Sequence, residues 1–424
     1  MPLKRELGLF STTLYGIGVI IGAGIYALIG VGAGLAGNLL WFSFLISALI
    51  AIFTGLSYAE LSGVFPKDAA EYNYTRKAFN RELLSFVIGW LLVVGTIVAA
   101  STVARGFAGY FSSIFGGEIG PIAAGLLVVM AFLNYFGIKE SARFNNFASI
   151  LEVLGLLIVI AIGFFFVSGA KTVNLFELPQ KGFAGIMAAV SVVFFAYTGF
   201  ESVANLSEEV KASRKIVPKA LLLALAISSV LYVLVSIAAV KEVGWEALKN
   251  SDAPLTLVAS GALGDYSIIL SFIALLSTAN TALIFMIVSS RILYGMARRG
   301  SLPTLFCETG SRGTPYFSVF AVGLVAAFAA YVFEIKTVAQ ITDLALFVAY
   351  FAVNVSLISL AGSAYKRTFK SPRIAGIPVF AWLGALTSLA MLAFFPVTIW
   401  LMEIVILGVG LVLFLLYKRR KSSG

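Results

Sequence analysis

The sequence predicts an all-α polytopic membrane protein. Three observations carry that expectation. Of 424 residues, 60% are hydrophobic and 12% charged, with a mean hydropathy of +1.00, a balance that soluble globular chains do not reach. Apolar runs recur at roughly twelve places, at about 20 residues per bilayer crossing. The loops between these runs carry lysine and arginine on alternate sides.

The twelve expected segments cover residues 7–34, 39–64, 83–114, 121–136, 147–168, 182–206, 217–240, 266–296, 317–333, 338–363, 376–395 and 397–417. With the N-terminus inside, the outward loops hold only Lys171, Lys181, Lys241, Lys249 and Lys336. Arg105 and Arg291 fall within segments, and the remaining basic residues, from Lys4 and Arg5 to the terminal Lys418–Lys421 cluster, face inward. Both termini are therefore expected in the cytoplasm, as in a multi-pass plasma-membrane protein. The net charge of +10 reads as topology rather than as a nucleic-acid footprint.

The chain has no histidine and one cysteine, Cys307. This removes disulfide scaffolds, zinc and haem sites and histidine-based catalysis from consideration; no cofactor is expected. No small-residue cleavage pattern follows the first apolar run, so no removable signal peptide is expected. No loop is long enough for a soluble domain. Val243-Gly244-Trp245-Glu246-Ala247-Leu248 reads as a short interfacial helix on the outside.

The first segment contains Gly16-Ile17-Gly18-Val19-Ile20-Ile21-Gly22-Ala23-Gly24-Ile25-Tyr26. Glycine is costly inside a helix, and irregular backbone at membrane depth survives only where protein or a watery cavity satisfies it. Gly22-Ala23-Gly24 is therefore expected to break the helix and present bare backbone to a small polar ligand. The competing reading is close helix packing through Gly18 and Gly22. The sixth segment repeats the theme in Phe195-Ala196-Tyr197-Thr198-Gly199-Phe200-Glu201. Interrupted helices opening each of two five-segment halves point to an inverted-repeat secondary transporter. One domain, 1–424, is expected. Its first repeat spans about 7–170, its second 182–363, and two further helices 376–417.

Physics assigns roles to the two breaks. Free N–H groups after Gly24 suit a carboxylate. Carbonyls around Ile20, Phe195, Ala196 and Thr198 suit an ammonium group. A ligand with both charges on neighbouring atoms is an α-amino acid.

The residues also resemble the amino acid–polyamine–organocation transporter superfamily, near its cationic amino acid transporter branch. The first segment is similar to the pattern G-x-G-x-x-I-G-[STA]-G-I-[FY]. Glu60-Leu61, Phe65-Pro66, Glu71-Tyr72-Asn73-Tyr74 and Ala78-Phe79 match a second motif, with Ala69-Ala70 in place of its glycine pair. Phe195–Glu201 through Glu208-Glu209-Val210-Lys211 to Pro218 matches a third, and Arg291 through Met296-Ala297-Arg298 to Leu302-Pro303 a fourth. The resemblance implies the leucine-transporter fold, with segments 1, 2, 6 and 7 moving against 3, 4, 8 and 9. It places the substrate on Ile20, Gly22, Ala23, Gly24, Phe195, Ala196 and Thr198. Relatives often carry serine or threonine at the centre of the first triplet; Ala23 leaves backbone N–H alone.

Ionisable residues within segments are functional candidates. Arg105 and Asp343 are expected near outer ends, snorkelling or paired. Arg291 and Glu60 are expected to hold inner loops, and Glu403 to face an oligomer contact or the interface. Glu201, with Phe200, is expected at the inner exit as a gate or proton-handling group. Ser277 and Thr278 offer hydroxyls for a sodium ion beside the first break. The stretch Glu140-Ser141-Ala142-Arg143-Phe144-Asn145-Asn146 through Glu152 is similar to a family pattern ending in lysine. In proton-coupled relatives that lysine reaches toward the first break. Glu152 reverses its charge. In an apolar bundle a carboxyl group favours its neutral form, so Glu152 is the expected proton carrier.

The expected function is secondary active transport of neutral amino acids by alternating access, coupled to protons. Exchange of amino acids or polyamines and sodium symport are the alternatives, with the lipid bilayer, the substrate and the coupling ion as partners. A transporter-like nutrient receptor is the remaining alternative, though the sequence offers no large cytoplasmic domain to signal through. A lipid enzyme would need a cluster of histidine, cysteine or paired carboxylates, and the sequence shows none. The oligomeric state is left open.

Overall fold

The computed structural model describes residues 7–66, 70–136, 142–166, 173–207, 209–310 and 314–422, without the side chains of residues 23, 142–145 and 420–422. Ala23 is therefore placed by its backbone alone, and Glu140, Ser141 and Glu208 of the sequence motifs lie outside the described residues.

Each of the twelve apolar segments coincides with helix. In order these are α1 (Leu9–Ala36), α2 (Leu40–Val64), α3 (Ala70–Phe79), α4 (Glu82–Phe115), α5 (Ile119–Tyr135), α6 (Ala142–Phe165), α7 (Gly182–Val193) and α8 (Ser202–Asn205). There follow α9 (Ser213–Lys249), α10 (Pro254–Leu263), α11 (Ile268–Arg298), α12 (Tyr316–Val332), α13 (Ile335–Ser359), α14 (Val379–Met391) and α15 (Val397–Ser422). Among the described residues, eight stretches are long and apolar enough to cross a membrane, and α5, α12 and the α14 region form shorter apolar helices. The protein is thus an all-α, multi-pass membrane protein.

Two helices lie outside the expected segments. α3 carries Glu71, Tyr72 and Tyr74 inward and exposes Arg76 and Lys77. α10 starts with Pro254 at its first turn, where a missing N–H costs nothing. The stretch called α9 is two helices meeting at Gly244, whose φ of 77° only glycine adopts freely; the short second one, ending at Lys249, covers most of the helix expected at Val243–Leu248.

The core is built by α1 lying along α9, α4 along α11 and α13, and α2 along α9. A short extended contact pins the start of α1 to the end of the sixth segment: the Leu7 N–H donates to Glu209 O at 3.2 Å and the Lys211 N–H to Leu7 O at 2.9 Å.

Glu60 holds a loop, as its position predicts. Its carboxylate is fully buried and meets Arg367 Nε at 2.9 Å and Arg373 Nη2 at 2.6 Å. Ser371 donates its N–H and hydroxyl to the same carboxylate at 2.8 and 2.6 Å. Removing one partner of a buried ion cluster leaves the others uncompensated. Glu60→Gln is expected to lower stability by on the order of 2 kcal/mol, read as a fall in the melting temperature in detergent.

Candidate functional site

The sixth segment breaks where the sequence predicts. α7 gives way to a 3₁₀ turn over Phe194–Tyr197, then Thr198 is extended, with φ −65° and ψ 150°. Gly199 follows with φ 102°. A Cβ on Gly199 would also lie 2.4 Å from Val19 Cγ1, so glycine is required twice over. The helix resumes only as α8.

The first segment does not break. α1 runs as continuous helix through Gly22, Ala23 and Gly24, which corrects the expected opening in this conformation. Its glycines provide close approach instead. A Cβ at Gly24 would lie 2.0 Å from Ala196 Cα, and one at Gly22 would lie 2.1 Å from Thr281 Oγ1. α1 is thus pressed on two sides, by the broken sixth segment at Gly24 and by α11 at Gly22. Of the expected site residues, Gly24 meets Ala196 directly and Ile20 is joined to Ala196 through Tyr232, whereas Gly22 faces α11; Ala23 is described by its backbone alone.

The carbonyls expected to face an ammonium group divide into two kinds. Phe195 O is taken by the Thr198 hydroxyl at 2.7 Å and the Thr198 N–H at 3.0 Å. Ile20 O and Ala196 O converge on one hydroxyl, that of Tyr232 on α9, at 2.7 and 2.9 Å. A phenol has a single hydrogen to donate, so two carbonyls from two segments share one donor. Tyr232 is absent from the sequence expectations, because nothing in its own stretch distinguishes it from other buried aromatics.

A second cluster lies behind Gly22. Glu152 on α6 is 1% exposed, and neither of its carboxyl oxygens has a hydrogen-bond partner. The Ser277 side chain faces it. Ser277 Oγ and Thr281 Oγ1 are likewise buried without partners. Thr278 turns its hydroxyl back to Ala274 O at 2.6 Å. The α11 hydroxyls beside α1 therefore come from Ser277 and Thr281, four residues apart on one helix face, rather than from Ser277 and Thr278. Tyr26 fixes this region by donating to Glu152 O at 3.0 Å.

The intramembrane charges fall partly as expected. Arg105 donates to Ala330 O at 2.7 Å. Asp343 is not an end-of-helix residue that snorkels, nor Arg105's partner. It is fully buried in α13, its carboxyl faces the Phe195 backbone N–H, and neither oxygen reaches hydrogen-bond geometry. Helix geometry explains the shift in depth: eight residues into α13 is about 12 Å of rise, which brings Asp343 level with the sixth-segment break. Glu403 is buried in α15 at 2% exposure with no hydrogen bond to its carboxyl. Glu201 accepts the Gly199 N–H at 3.0 and 3.1 Å and the Tyr350 hydroxyl at 3.0 Å. Phe200 packs edge-on to Tyr58 at 5.5 Å and beside Tyr350 at 5.3 Å.

Comparison with known proteins agrees with this architecture. The family model described as amino acid permease matches residues 7–410. The chain is 32% identical to the branched-chain amino acid permease BcaP of Bacillus subtilis (strain 168), covering 99% of this chain and 94% of that one. It is 30% identical to the methylthioribose transporter of the same organism, over 99% of this chain and 95% of the relative. It is 31% identical to the vacuolar cationic amino acid transporter 4 of Arabidopsis thaliana, over 84% of this chain and 63% of that longer protein. The chain belongs to the amino acid permease family of the amino acid–polyamine–organocation superfamily.

Proposed function

We propose that this protein is a secondary active transporter of neutral amino acids that works by alternating access and couples uptake to protons. The observation that carries the reading is the pair of carbonyls, Ile20 O and Ala196 O, sharing the one Tyr232 hydroxyl at the contact of α1 with the broken sixth segment. An ammonium group brings three donors to such acceptors. Opening α1 at Gly22–Gly24 would free N–H groups for the carboxylate. Relatives named as a branched-chain amino acid permease and as cationic amino acid transporters support an amino acid substrate.

The twelve segments are proposed to form a five-plus-five inverted repeat with two added helices, both termini being cytoplasmic in the plasma membrane. The packing supports this. Exchanging segments 1–5 with 6–10 turns the α1–α9 contact into α7–α2, α1–α6 into α7–α13, and α4–α13 into α11–α6; each of these pairs is in contact.

Coupling is assigned to Glu152, whose carboxyl has no basic partner among the described residues. Sodium is the second reading for this position, favoured by the unpartnered Ser277 and Thr281 hydroxyl oxygens beside the carboxyl.

Specificity follows the lining. Phe195, Ala196, Ile20 and Phe200 are fully buried and apolar, so small and medium neutral amino acids are expected to bind. Asp343 at the Phe195 N–H favours the competing choice, a cationic substrate. Uptake of labelled leucine into proteoliposomes decides between them. Unlabelled leucine and alanine are expected to compete at least tenfold better than arginine, spermidine or methylthioribose. Stronger competition by arginine or spermidine assigns the site to cations through Asp343.

A further inference from the structure

At the inner end of the sixth segment two acidic side chains are buried without a basic partner among the described residues. Glu71 on α3 is 2% exposed and Glu201 is 4% exposed. Glu201 takes its hydrogen bonds from the Gly199 N–H and the Tyr350 hydroxyl. Glu71 accepts from the Tyr58 hydroxyl at 3.1 Å and is met by the Asn205 side chain. Asn205 Oδ1 in turn accepts the Ala70 N–H at 2.9 Å. Glu201 already has helical backbone angles and Asn205 ends α8, so the two residues stand four apart on one helix face. Asn205 thus holds Glu71 over the helix face that carries Glu201, near enough for the two carboxyl groups to repel each other when both are charged.

Among the described residues the surroundings offer no compensating cation. Tyr58 and Tyr350 stand edge to face at 6.0 Å and wall the pair, with Phe200 against both. Tyr74 lies beside Glu71 from α3 itself, and Asp343 faces Glu201 along α13. Arg299 sits over the Tyr72 ring at 4.8 Å, and with Arg76 it lines an open cleft that Glu82 also borders. Glu82, at the start of α4, is paired with Lys418 at 2.9 Å. Among the described residues no salt bridge reaches Glu71 or Glu201.

We propose that Glu71 and Glu201 form one proton-binding site in the inner gate, distinct from Glu152, and that a proton must occupy it for the gate to close. Two neighbouring buried carboxyl groups are costly to ionise together without a counter-charge. A proton on either one removes the repulsion and leaves four polar groups, two tyrosine hydroxyls, an amide and a backbone N–H, to satisfy the oxygens. Burial pushes the Glu71 carboxyl, which lies outside the membrane segments, up to about 7, with the Glu201 charge adding to the effect and the Tyr58 and Asn205 hydrogen bonds opposing it. The sign follows. A carboxyl group raised in the closed form stabilises that form at low pH, and the stabilisation is lost as pH rises through about 7. Once the gate opens, water restores the ordinary carboxylate value and the proton leaves. The proposal rests on the transport reading only in naming this closed contact a gate.

The test is hydrogen–deuterium exchange of segments 70–79 and 199–206 in the purified full chain, without substrate, from about pH 6 to about pH 8. Rates are corrected for the intrinsic pH dependence of exchange. Wild-type protection is expected to fall as pH rises toward about 7, by up to about tenfold per pH unit, and to level off above that midpoint. Glu71→Gln is expected to hold both segments closed, with no pH response. Tyr58→Phe removes a donor to the charged form and is expected to move the midpoint up by about one pH unit; this variant decides the matter if the glutamine variant fails to fold. A wild-type pH curve in Glu71→Gln or an unmoved midpoint in Tyr58→Phe would overturn the proposal. Failure of the transport reading is seen separately, as absence of labelled amino acid uptake.

Discussion

Gly24→Val is expected to abolish amino acid binding. A Cβ at position 24 would lie 2.0 Å from Ala196 Cα and 2.6 Å from Ala196 N. Both are backbone atoms, which have no rotamer to move into. Alanine at a helical glycine gains about 1 kcal/mol in propensity, but overpacking of this kind costs about 1–3 kcal/mol or more. The clash falls at the contact between α1 and the broken sixth segment, where the substrate is proposed to sit. Gly24→Ala is therefore expected to weaken binding at least tenfold, and the valine variant to remove it. Gly125→Ala is the matched control: nothing lies within 4 Å of the added Cβ in α5, so it is expected to raise stability by about 0.5–1 kcal/mol and leave binding intact. Calorimetry with leucine on monodisperse protein measures all three. Wild-type binding by Gly24→Val takes position 24 out of the substrate site.

Some of this site is legible in the chain and some is not, for reasons particular residues make plain. The apolar runs locate the helices because burial in lipid demands about 20 apolar residues and satisfied backbone. Thr198-Gly199 announces the sixth-segment break, since a positive φ at Gly199 has a direct residue signature. Glu60 declares a loop anchor, because a fully buried carboxylate needs partners, although Arg367 and Arg373 lie more than three hundred positions away and no local pattern names them. Gly22 and Gly24 mislead, because glycine serves helix opening and close packing equally well. Only the neighbours, Ala196 and Thr281, show that this conformation uses the second. Tyr232 is invisible in sequence for the same reason: its role depends on two carbonyls brought to it from α1 and the 3₁₀ turn. Asp343 lies deeper than its place in the sequence suggests, because its depth depends on where α13 begins. Thr281 rather than Thr278 shares the face of Ser277, and the four-residue spacing is the available signal. α3 escapes the apolar pattern, since its ten residues are amphipathic rather than apolar.

Glu152→Gln is expected to uncouple transport while sparing substrate binding. The Glu152 carboxyl is 1% exposed, has no hydrogen-bond partner and sits behind Gly22 with the free hydroxyls of Ser277 and Thr281. A buried charge with no counter-ion is among the most costly arrangements in an apolar interior. A neutral carboxyl avoids that cost, and a carboxylate there would need a cation. In either case the group must exchange its charge with solvent or with an ion as α1 moves, and the Tyr26 hydroxyl ties the same turn of α6 to α1 at 3.0 Å. Glutamine keeps the shape and the polar atoms of the protonated acid and cannot release a proton. The variant is therefore expected to bind leucine with wild-type affinity and to catalyse exchange of internal for external leucine. It is expected to lose at least tenfold in accumulation against a gradient, with no response to external pH. The two readings of the coupling ion separate in the same vesicles. Wild-type accumulation driven by a pH gradient in sodium-free buffer supports the proton, whereas accumulation that requires sodium assigns Ser277, Thr281 and Glu152 to a cation site. Wild-type accumulation with an unchanged pH response in Glu152→Gln would show that the coupling group lies elsewhere, and Asp343 is then the next buried carboxyl to replace.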